Sequence, residues 1–299
     1  MSKLGCSLKL AVFLVLVVLG LVVVGFLSGP IGSNFIGKSL FPSITVEQPH
    51  PELPAEKITH LGPVPVTNSM ISTWLAMAVI LAIALSARAK LQLIPRGVQN
   101  IFEFIVEKLL GFCESVAGKE WGRKFFPVVA TIFIFVIVNA YISLLPGYGS
   151  IYIMEEGKKV HLLRGSGTDL NTPLAIAIIS FIFVEFMGIR ALGFFKYMGK
   201  FFRFKKILHG QVSGLIDVFV GVLEMLSEFI RIVSFTFRLF GNMTAGEILL
   251  LVIVFLLPWG IAPLFYGLEL LVGFVQALIF SGLTLVFVTM AVASHDEGH

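Results

Sequence analysis

Long runs of apolar residues constrain this chain more than any other feature of its sequence. They cover residues 10–27, 71–87, 127–145, 172–189, 213–257 and 262–293. Most of them approach the roughly 20 residues that an α-helix needs to cross about 30 Å of hydrocarbon. With 57% hydrophobic and 13% charged residues among 299, the chain lies outside the composition of soluble globular proteins. We therefore predict an all-α polytopic membrane protein with about six hydrophobic helices.

The first run permits two interpretations. It follows Lys3 and Lys9 and precedes a passable cleavage site, so a cleaved signal peptide is one alternative. Its apolar core is longer than the about 7 to 15 residues of a typical signal, which favours a retained helix. The predicted organisation has three segments: an N-terminal hydrophobic helix (1–29), a proline-rich external loop (30–69), and a membrane domain (70–299) that ends in a helical hairpin (213–293).

Two segments outside the runs have a distinct character. Residues 28–68 are rich in proline and polar residues, which predicts an extended loop outside the hydrocarbon. Residues 98–118 have the pattern of an amphipathic helix, and we predict that this helix lies at the membrane interface. Its apolar side carries Val98, Ile101, Phe102, Ile105 and Leu109, and its acidic side carries Glu103, Glu107 and Glu114.

The distribution of lysine and arginine predicts the orientation of the chain. If the N-terminus is cytoplasmic and every run crosses once, fifteen of the 22 basic residues fall in cytoplasmic segments and five in external loops. The remaining two, Arg231 and Arg238, lie within an apolar run. Because cytoplasmic loops of membrane proteins are enriched in Lys and Arg, this bias predicts six crossings with both termini in the cytoplasm.

The run over residues 213–257 is too long for one simple crossing. About 45 residues at ~1.5 Å each extend roughly 65 Å, so the helix must tilt, bend or begin at the interface. Pro258 and Pro263 bracket a short turn before the last run, and proline ends one helix and begins the next. The last two runs are therefore predicted to form a hairpin of long helices packed side by side.

Charged and polar side chains form a stripe along the long run. Steps of three and four residues place them on one helix face. Glu247 lies nine residues beyond Arg238 and therefore points to the opposite side. A charge at the centre of a bilayer helix costs about 2.5 to 3.5 kcal/mol on insertion scales, so these side chains are candidates for function. The members of the stripe are Glu224, Glu228, Arg231, Ser234 or Phe235, Arg238 and Asn242.

The last run carries two further polar residues, Glu269 and Gln276, seven positions apart and so on one helix face. An antiparallel hairpin that turns near Gly260 pairs positions whose numbers sum to about 520. To within one or two helical turns, this register brings Glu247 beside Glu269 and Gln276 towards Arg238. Two carboxylates close together in a low dielectric favour protonation of one of them, which suits proton relay.

Structural ion pairing is the alternative interpretation of these charges. Glu228 and Arg231 have the three-residue spacing of an internal salt bridge, and both interpretations stay open for them. Arg238 has no acidic residue within four positions, so burial there requires a carboxylate from elsewhere or a water-filled cavity. Glu247 and Glu269 also stay open between a structural and a relay role.

Other classes of function find less support. The sequence lacks the glycine-rich phosphate-binding, HExxH and GxSxG motifs, and Cys6 and Cys113 have no metal-ligand spacing. We expect no cofactor, no metal and no nucleic-acid partner. An intramembrane enzyme would need a nucleophile with a base or a metal constellation, and all six histidines fall outside the apolar runs. An ion-coupled secondary transporter remains an alternative, although such folds commonly contain internal repeats and the two halves here show no convincing one.

One segment of the long run, SFTFRLFGNMTAGEILLL, closely resembles the signature of subunit a of F-type ATP synthases. That signature is an arginine followed by Leu-Phe-Gly-Asn-Met and then Ala-Gly-Glu. The resemblance covers about residues 64–295 and preserves the order of the hydrophobic segments. It continues through NSMISTWLAMAVILAIAL, PRGVQNIFEFIVE, FPVVATIFIFVIVNAYISLLPGY, TDLNTPLAIAIISF and VQALIFSGLTLVFVTMA.

The resemblance implies a stator protein of a bacterial inner membrane, held against a rotating ring of c subunits. The C-terminal hairpin would pack on that ring, and the b subunits of a peripheral stalk would be further partners. Such a protein binds no nucleotide itself. It provides two half-channels and an essential arginine that couple proton flow to ring rotation and ATP synthesis.

The resemblance also implies roles for single residues. Arg238 matches the family's essential arginine, and Glu247 matches the acid of the channel open to the outside. Asn242, Gln276 and Glu224 match the polar residue one turn after the arginine, its neighbour on the last helix and an acid of the cytoplasmic channel. Many bacterial members have histidine at the position of Glu269, which leaves open whether a carboxylate pair forms the outer relay here. Less specific candidates are Glu228, Arg231, Ser234 and the external loop acid Asp169.

Overall fold

The computed structural model describes residues 2–36, 48, 54–89, 97–145, 147–155, 158–201, 213–257 and 260–293. These residues contain eight α-helices and two short antiparallel β-hairpins. The helices are α1 (Ser2–Ser28), α2 (Pro30–Ile36), α3 (Asn68–Ala89), α4 (Val98–Ser143), α5 (Asn171–Leu192), α6 (Phe194–Phe201), α7 (Ser213–Leu256) and α8 (Ala262–Val292). The hairpins are β1 (Lys57–Leu61) with β2 (Val64–Thr67), and β3 (Tyr152–Glu155) with β4 (Lys158–His161).

Five of the described helices are long and apolar enough to cross a membrane, namely α3, α4, α5, α7 and α8. The apolar part of α1, Val12–Ser28, is shorter than these. The prediction of an all-α polytopic membrane protein is therefore confirmed. A sixth crossing by the first helix and the division into three segments stay predictions.

The amphipathic segment and the third apolar run are joined in α4. Gly118 interrupts the helical dihedral angles there, with φ 75° and ψ 166°, a conformation almost restricted to glycine. Before this break, Leu109 and Cys113 are buried, whereas Ile101 and Ile105 are exposed. The amphipathic helix thus ends at Gly118, and it has apolar side chains on an exposed face as well as on its packed face.

Replacement of Gly118 by alanine is expected to lower the free energy of unfolding by about 1 to 3 kcal/mol, because a Cβ is strained at these dihedral angles. Gly111→Ala is the matched control, since Gly111 lies in regular helix with nothing within 4 Å of an added Cβ. Alanine favours helix over glycine, so the control should be neutral or slightly stabilising. Thermal unfolding of the purified protein in detergent measures both, and equal midpoints would contradict the strain at Gly118.

The proline-rich segment is not extended throughout, so that part of the prediction was wrong. Pro30–Ile36 form the helix α2, and β1 and β2 pair on either side of a turn at Gly62, whose φ is 65°. Residues 37–47 and 49–53 of the segment lie outside the described part, as does Pro258, the predicted helix stop. The polar and proline-rich composition of the segment predicts only a loop. The local sequence does contain a hairpin signal, because two stretches with β-branched residues flank the Gly62-Pro63 turn.

The chain divides into two compact units, one of residues 1–54 and 242–272 and the other of residues 55–241 and 273–299. In the first unit, the end of α1 contacts the turn between α7 and α8. Gly29 lies against the carbonyl of Leu256, and a Cβ on Gly260 would come within 2.7 Å of the Val22 nitrogen. Glycines therefore permit the close approach of these backbones.

The core of the second unit lies between α4, α5 and α8. Hydroxyl groups of Ser180 and Thr284 are hydrogen-bonded within it at 2.7 Å. A Cβ on Gly273 would come within 2.9 Å of the Ala140 Cβ, so α8 and α4 are in close contact at this level. The buried cluster comprises Cys113, Phe125, Val129, Val184, Leu285, Val288 and Val292. These contacts hold this part of α8 at a fixed distance from α4 and α5.

Candidate functional site

Arg238 lies on α7 two turns after Arg231, in a different environment. Its side chain is half-buried, and the guanidinium carbon lies 5.9 Å from the centroid of the Phe235 ring. Among the residues that the structure describes, no carboxylate lies within 4 Å of its nitrogens. The guanidinium can therefore donate hydrogen bonds to a carboxylate from outside this chain.

Glu228 and Arg231 form the internal ion pair that their spacing allows. An Arg231 nitrogen lies 2.6 Å from a Glu228 oxygen, and a second contact measures 3.0 Å. The Arg231 guanidinium also stacks on the Phe287 ring, with 3.8 Å between its carbon and the ring centroid. Arg231 is thus held on two sides within the second unit, in contrast to Arg238.

A cavity of about 400 Å³ lies next to this ion pair. Its wall combines four charged side chains with apolar ones, and Glu224, one turn before Glu228 on α7, contributes to it. The charged residues are Lys196, Glu224, Glu228 and Arg231, and Tyr197, Leu192, Phe287 and Met290 are among the others. A space of this size with charged walls has room for several water molecules.

Glu269 lies against α7 in the first unit. Its side chain is buried, and its carboxylate occupies the space that a Cβ on Gly246 would fill. Glu247, the next residue on α7, is half-buried. The two acids predicted to lie near each other are therefore brought to the same turn of α7, with Gly246 providing the room for one of them.

The remaining predicted residues lie in different environments. Gln276 is buried, whereas Asn242 and Ser234 are exposed. Phe235, the alternative to Ser234 in the stripe, is buried and packs on Phe280 with 4.7 Å between ring centroids. Ser234 lies one turn before Arg238 on α7, so the face of the helix next to Arg238 is exposed at this position.

The contacts between α7 and α8 are offset from the expected register. Phe235 contacts Phe280 in the second unit, and Gly246 contacts Glu269 in the first. Both pairs of numbers sum to 515 rather than to about 520. This difference of five lies within the expected error of one or two helical turns. It places Glu269 opposite the turn of α7 that carries Glu247.

Asp169 is engaged at the start of α5. The Ser69 hydroxyl donates to one carboxylate oxygen at 2.6 Å, and the backbone and side-chain nitrogens of Asn171 donate to the other at 3.1 and 3.0 Å. These bonds connect the start of α3 to the start of α5. Asp169 therefore has a structural role. Its position near a channel mouth stays a prediction.

Sequence reasoning missed two residues, Glu185 on α5 and Tyr197 on α6. Glu185 is an acid within the fourth apolar run, which was treated as uniformly apolar. Tyr197 is 1% exposed and lines the cavity. An acid inside a membrane helix was the available signal for Glu185, whereas nothing in the local sequence distinguishes Tyr197.

These features define a polytopic α-helical membrane protein with ionisable side chains inside its membrane helices, where such groups mark ion or substrate pathways. Comparison with protein families is more specific, since the model of the ATP synthase A chain matches residues 70–289. The chain belongs to this family. As a member, it is a non-catalytic membrane-sector subunit that serves ATP synthesis and proton transport.

Individual relatives agree with the family match. ATP synthase subunit a of Helicobacter pylori (strain Shi470) is 34% identical over 217 residues, which are 73% of this chain and 85% of that protein. Subunit a of Helicobacter acinonychis (strain Sheeba) has the same identity and coverage. Subunit a of Moorella thermoacetica is 31% identical over 239 residues, which are 80% of this chain and 97% of that protein.

Proposed function

We propose that this chain is the proton-translocating stator subunit of an F-type ATP synthase and couples proton flow to c-ring rotation through Arg238 and two half-channels. The observation that carries the proposal is the half-buried guanidinium of Arg238, which has no carboxylate at ion-pair distance among the described residues. A permanent charge in a membrane helix requires an anion or water nearby. In an ATP synthase, the carboxylate of a c subunit is the anion that fits.

The coupling follows from the cost of charge in lipid. A c-subunit carboxylate that faces lipid must be protonated, because a bare charge there is prohibitive. It can ionise only where its charge is compensated, and Arg238 supplies that compensation at one place on the ring's path. The same positive charge repels a proton that would pass directly from one side to the other. Each proton must then travel with the ring for nearly a full turn.

The cavity beside the Glu228–Arg231 pair supports the assignment of the cytoplasmic half-channel. Glu224 and Glu228 are both in its wall, and ionisable side chains that face a water-filled cavity within a membrane protein mark ion and proton pathways. The fixed position of Arg231 on Phe287 keeps a positive charge beside these acids. Glu224 is proposed to exchange protons with cavity water, while Glu228 and Arg231 shape the path.

The outer half-channel is proposed to run past Glu247 and Glu269, with Asp169 near its mouth. Support comes from the buried Glu269 carboxylate on the α7 turn that carries Glu247. Among the described residues no basic side chain is at ion-pair distance from Glu269, and a buried carboxylate of this kind is most readily accommodated in its protonated form. Such a group can receive a proton and pass it to a second acid. In this account, two carboxylates perform the relay for which many relatives use a carboxylate and an imidazole.

The free-energy cost of leaving Arg238 limits how tight its contact with the ring can be. Each charge that crosses the field gains about 2.3 kcal/mol per 100 mV, whereas breaking a dry, rigid ion pair costs about 3 to 5 kcal/mol. The contact must therefore be hydrated and loose. Gln276 and Asn242 are proposed to keep the guanidinium in position without holding the ring carboxylate.

The protein is proposed to lie in a bacterial inner membrane with both termini in the cytoplasm. The excess of Lys and Arg in the alternate loops supports this orientation. Under it, the turn between α7 and α8 faces outside, which agrees with the proposed position of the Glu269 channel. The c-ring and the b subunits of the peripheral stalk are the proposed partners.

Gly246→Ala is expected to reduce proton flux through the membrane sector several-fold relative to the wild type. The flux should approach that of Glu269→Gln. The added methyl group would occupy the space of the Glu269 carboxylate, and such overpacking costs about 1 to 3 kcal/mol. Gly267→Ala is the matched control, because nothing lies within 4 Å of its Cβ. Passive flux into reconstituted vesicles measures the effect. Equal flux in the two alanine variants would contradict the role of Gly246.

Co-purification tests the proposed function as a whole. The tagged chain, expressed with the other subunits of its ATP synthase, is expected to come with a c-ring and a peripheral stalk. The purified complex should make ATP in vesicles when a proton gradient is imposed. Isolation of the chain alone with a bound small solute would instead favour a secondary transporter.

A further inference from the structure

Glu185 is an ionisable residue of α5 that the proposed function has not used. It is half-buried, and one of its carboxylate oxygens is shielded from solvent. α5 is one of the helices long and apolar enough to cross a membrane. A carboxylate in such a helix costs about 2.5 to 3.5 kcal/mol on insertion scales, and residues that bear this cost are commonly functional.

Tyr197 of α6 lies directly on the Glu185 face of α5. A Cβ on Gly188 would come within 2.9 Å of Cζ of the tyrosine ring, so the ring rests on a glycine. Glu185 and Gly188 are three residues apart and share a helix face. Burial, followed by the nearby Glu185 carboxylate, raises the pKa of the Tyr197 hydroxyl. The hydroxyl therefore stays protonated and can donate towards Glu185.

Tyr197 also borders the cavity of the proposed cytoplasmic half-channel. Its ring is part of the wall that Glu224, Glu228 and Arg231 line. The charges of Glu185, Glu228 and Arg231 all act on its hydroxyl. Tyr197 thus lies between a membrane-embedded acid on one side and the charged cavity on the other.

We propose that Glu185 is a further proton-binding residue of the cytoplasmic half-channel and that the Tyr197 hydroxyl relays protons between Glu185 and the cavity. The inference rests on the proposed function, since it assigns a proton path to that cavity. In the forward step, a hydronium ion in the cavity gives a proton to the Tyr197 hydroxyl as that hydroxyl gives its own proton to the Glu185 carboxylate, so the hydronium ion becomes water and Glu185 becomes a neutral acid. The reverse step returns the proton to the water, and the tyrosine is unchanged after each.

The inference is tested on the whole ATP synthase complex in reconstituted vesicles. Glu185→Gln is expected to lower passive proton flux through the membrane sector by at least about tenfold, since a positioned proton-transfer group typically contributes about 10²- to 10⁴-fold. Tyr197→Phe keeps the ring on Gly188 and removes the hydroxyl, so it should lower flux in the same direction. The double variant should be no slower than Glu185→Gln, because the two residues act as one unit.

Infrared spectroscopy supplies a readout that a purely structural role would not change. A difference spectrum between two pH values should contain a band of a protonated carboxylic acid that is lost in Glu185→Gln. The same band should shift in Tyr197→Phe, where its hydrogen-bonding partner is absent. Glu107→Gln and Tyr141→Phe, both at exposed positions of α4, are the matched controls and should leave flux and band unchanged.

The outcomes separate this inference from the proposed function. Wild-type flux and an unmoved band in Tyr197→Phe and Glu185→Gln would overturn the inference, while loss of coupling in Arg238→Ala would still support the proposed function. Retained coupling in Arg238→Ala would remove the basis of both. If Glu185→Gln does not assemble, Tyr197→Phe decides, because its packing on Gly188 is preserved.

Discussion

Arg238→Ala is expected to reduce ATP synthesis driven by a proton gradient by at least roughly a hundredfold. Without the guanidinium, ionisation of the ring carboxylate at this place is uncompensated, at a cost of about 3 to 5 kcal/mol. That cost corresponds to roughly a hundredfold or more in rate. The measurement is ATP formation by vesicles that contain the whole complex, after an imposed gradient. Passive proton leak, measured in the same vesicles, should persist because the barrier charge is also gone.

Two further arginine variants make this test specific. Arg238→Lys keeps a positive charge but replaces the planar guanidinium by a compact, strongly hydrated ammonium, so synthesis should be impaired but measurable. Arg123→Ala removes an exposed arginine that pairs with Glu114 on α4 and should leave synthesis unchanged. Coupled synthesis at the wild-type rate in Arg238→Ala would refute the role assigned to this residue.

Glu247→Gln is expected to lower proton flux by at least about tenfold, since a positioned proton-transfer group typically contributes about 10²- to 10⁴-fold, while the complex still assembles. The amide has nearly the size of the carboxylic acid but cannot carry a proton in the relay. Flux through vesicles and recovery of the complex by co-purification measure the two parts. Both ATP synthesis and ATP-driven pumping should fall together, since they share the channel.

The control for Glu247 is Glu120→Gln, which changes an exposed acid that pairs with Lys124 on α4. Flux in this variant should equal that of the wild type. Unchanged flux in Glu247→Gln would move the outer relay to Glu269 alone. In that case Glu269→Gln should carry the whole loss.

The helices of the fold were predictable because their signal is local and strong. The runs at 172–189, 213–257 and 262–293 correspond to α5, α7 and α8 to within three residues at each end. Continuous hydropathy defines such segments without knowledge of their neighbours. The stripe on α7 followed equally from helix geometry, and the Glu228–Arg231 pair was one of the two alternatives that its spacing allowed.

The surroundings of each charged side chain could not be predicted from local sequence, because they depend on contacts between different helices. No local pattern places the Glu269 carboxylate against Gly246, and none places the Tyr197 ring on Gly188. Both contacts exist because a glycine on one helix leaves room for a side chain on another. The β-hairpins were missed for a different reason, since they lie in polar segments where composition predicts only a loop.

Glu185 shows how treating a hydrophobic run as a unit can conceal a candidate site. One acid hardly changes the mean hydropathy of α5, so the helix was predicted correctly while the acid was overlooked. The cost of charge in lipid makes such a residue informative by itself. Arg238 and Glu247 were recognised because they lie among several charged residues of one run and within a specific motif, whereas Glu185 is the single charged residue of its run and has no such motif.

Disulfide trapping between Ser234→Cys and a c subunit tests the central claim most directly. Ser234 is exposed one turn before Arg238 on α7, and the c subunit would carry a cysteine one turn from its carboxylate. The account predicts that oxidation links the two chains and stops ATP-driven proton pumping, and that a reductant restores pumping. Ile179→Cys, exposed on α5, should not link to the ring. Linkage through Ile179 but not through Ser234 would contradict the claim that Arg238 faces the ring carboxylate.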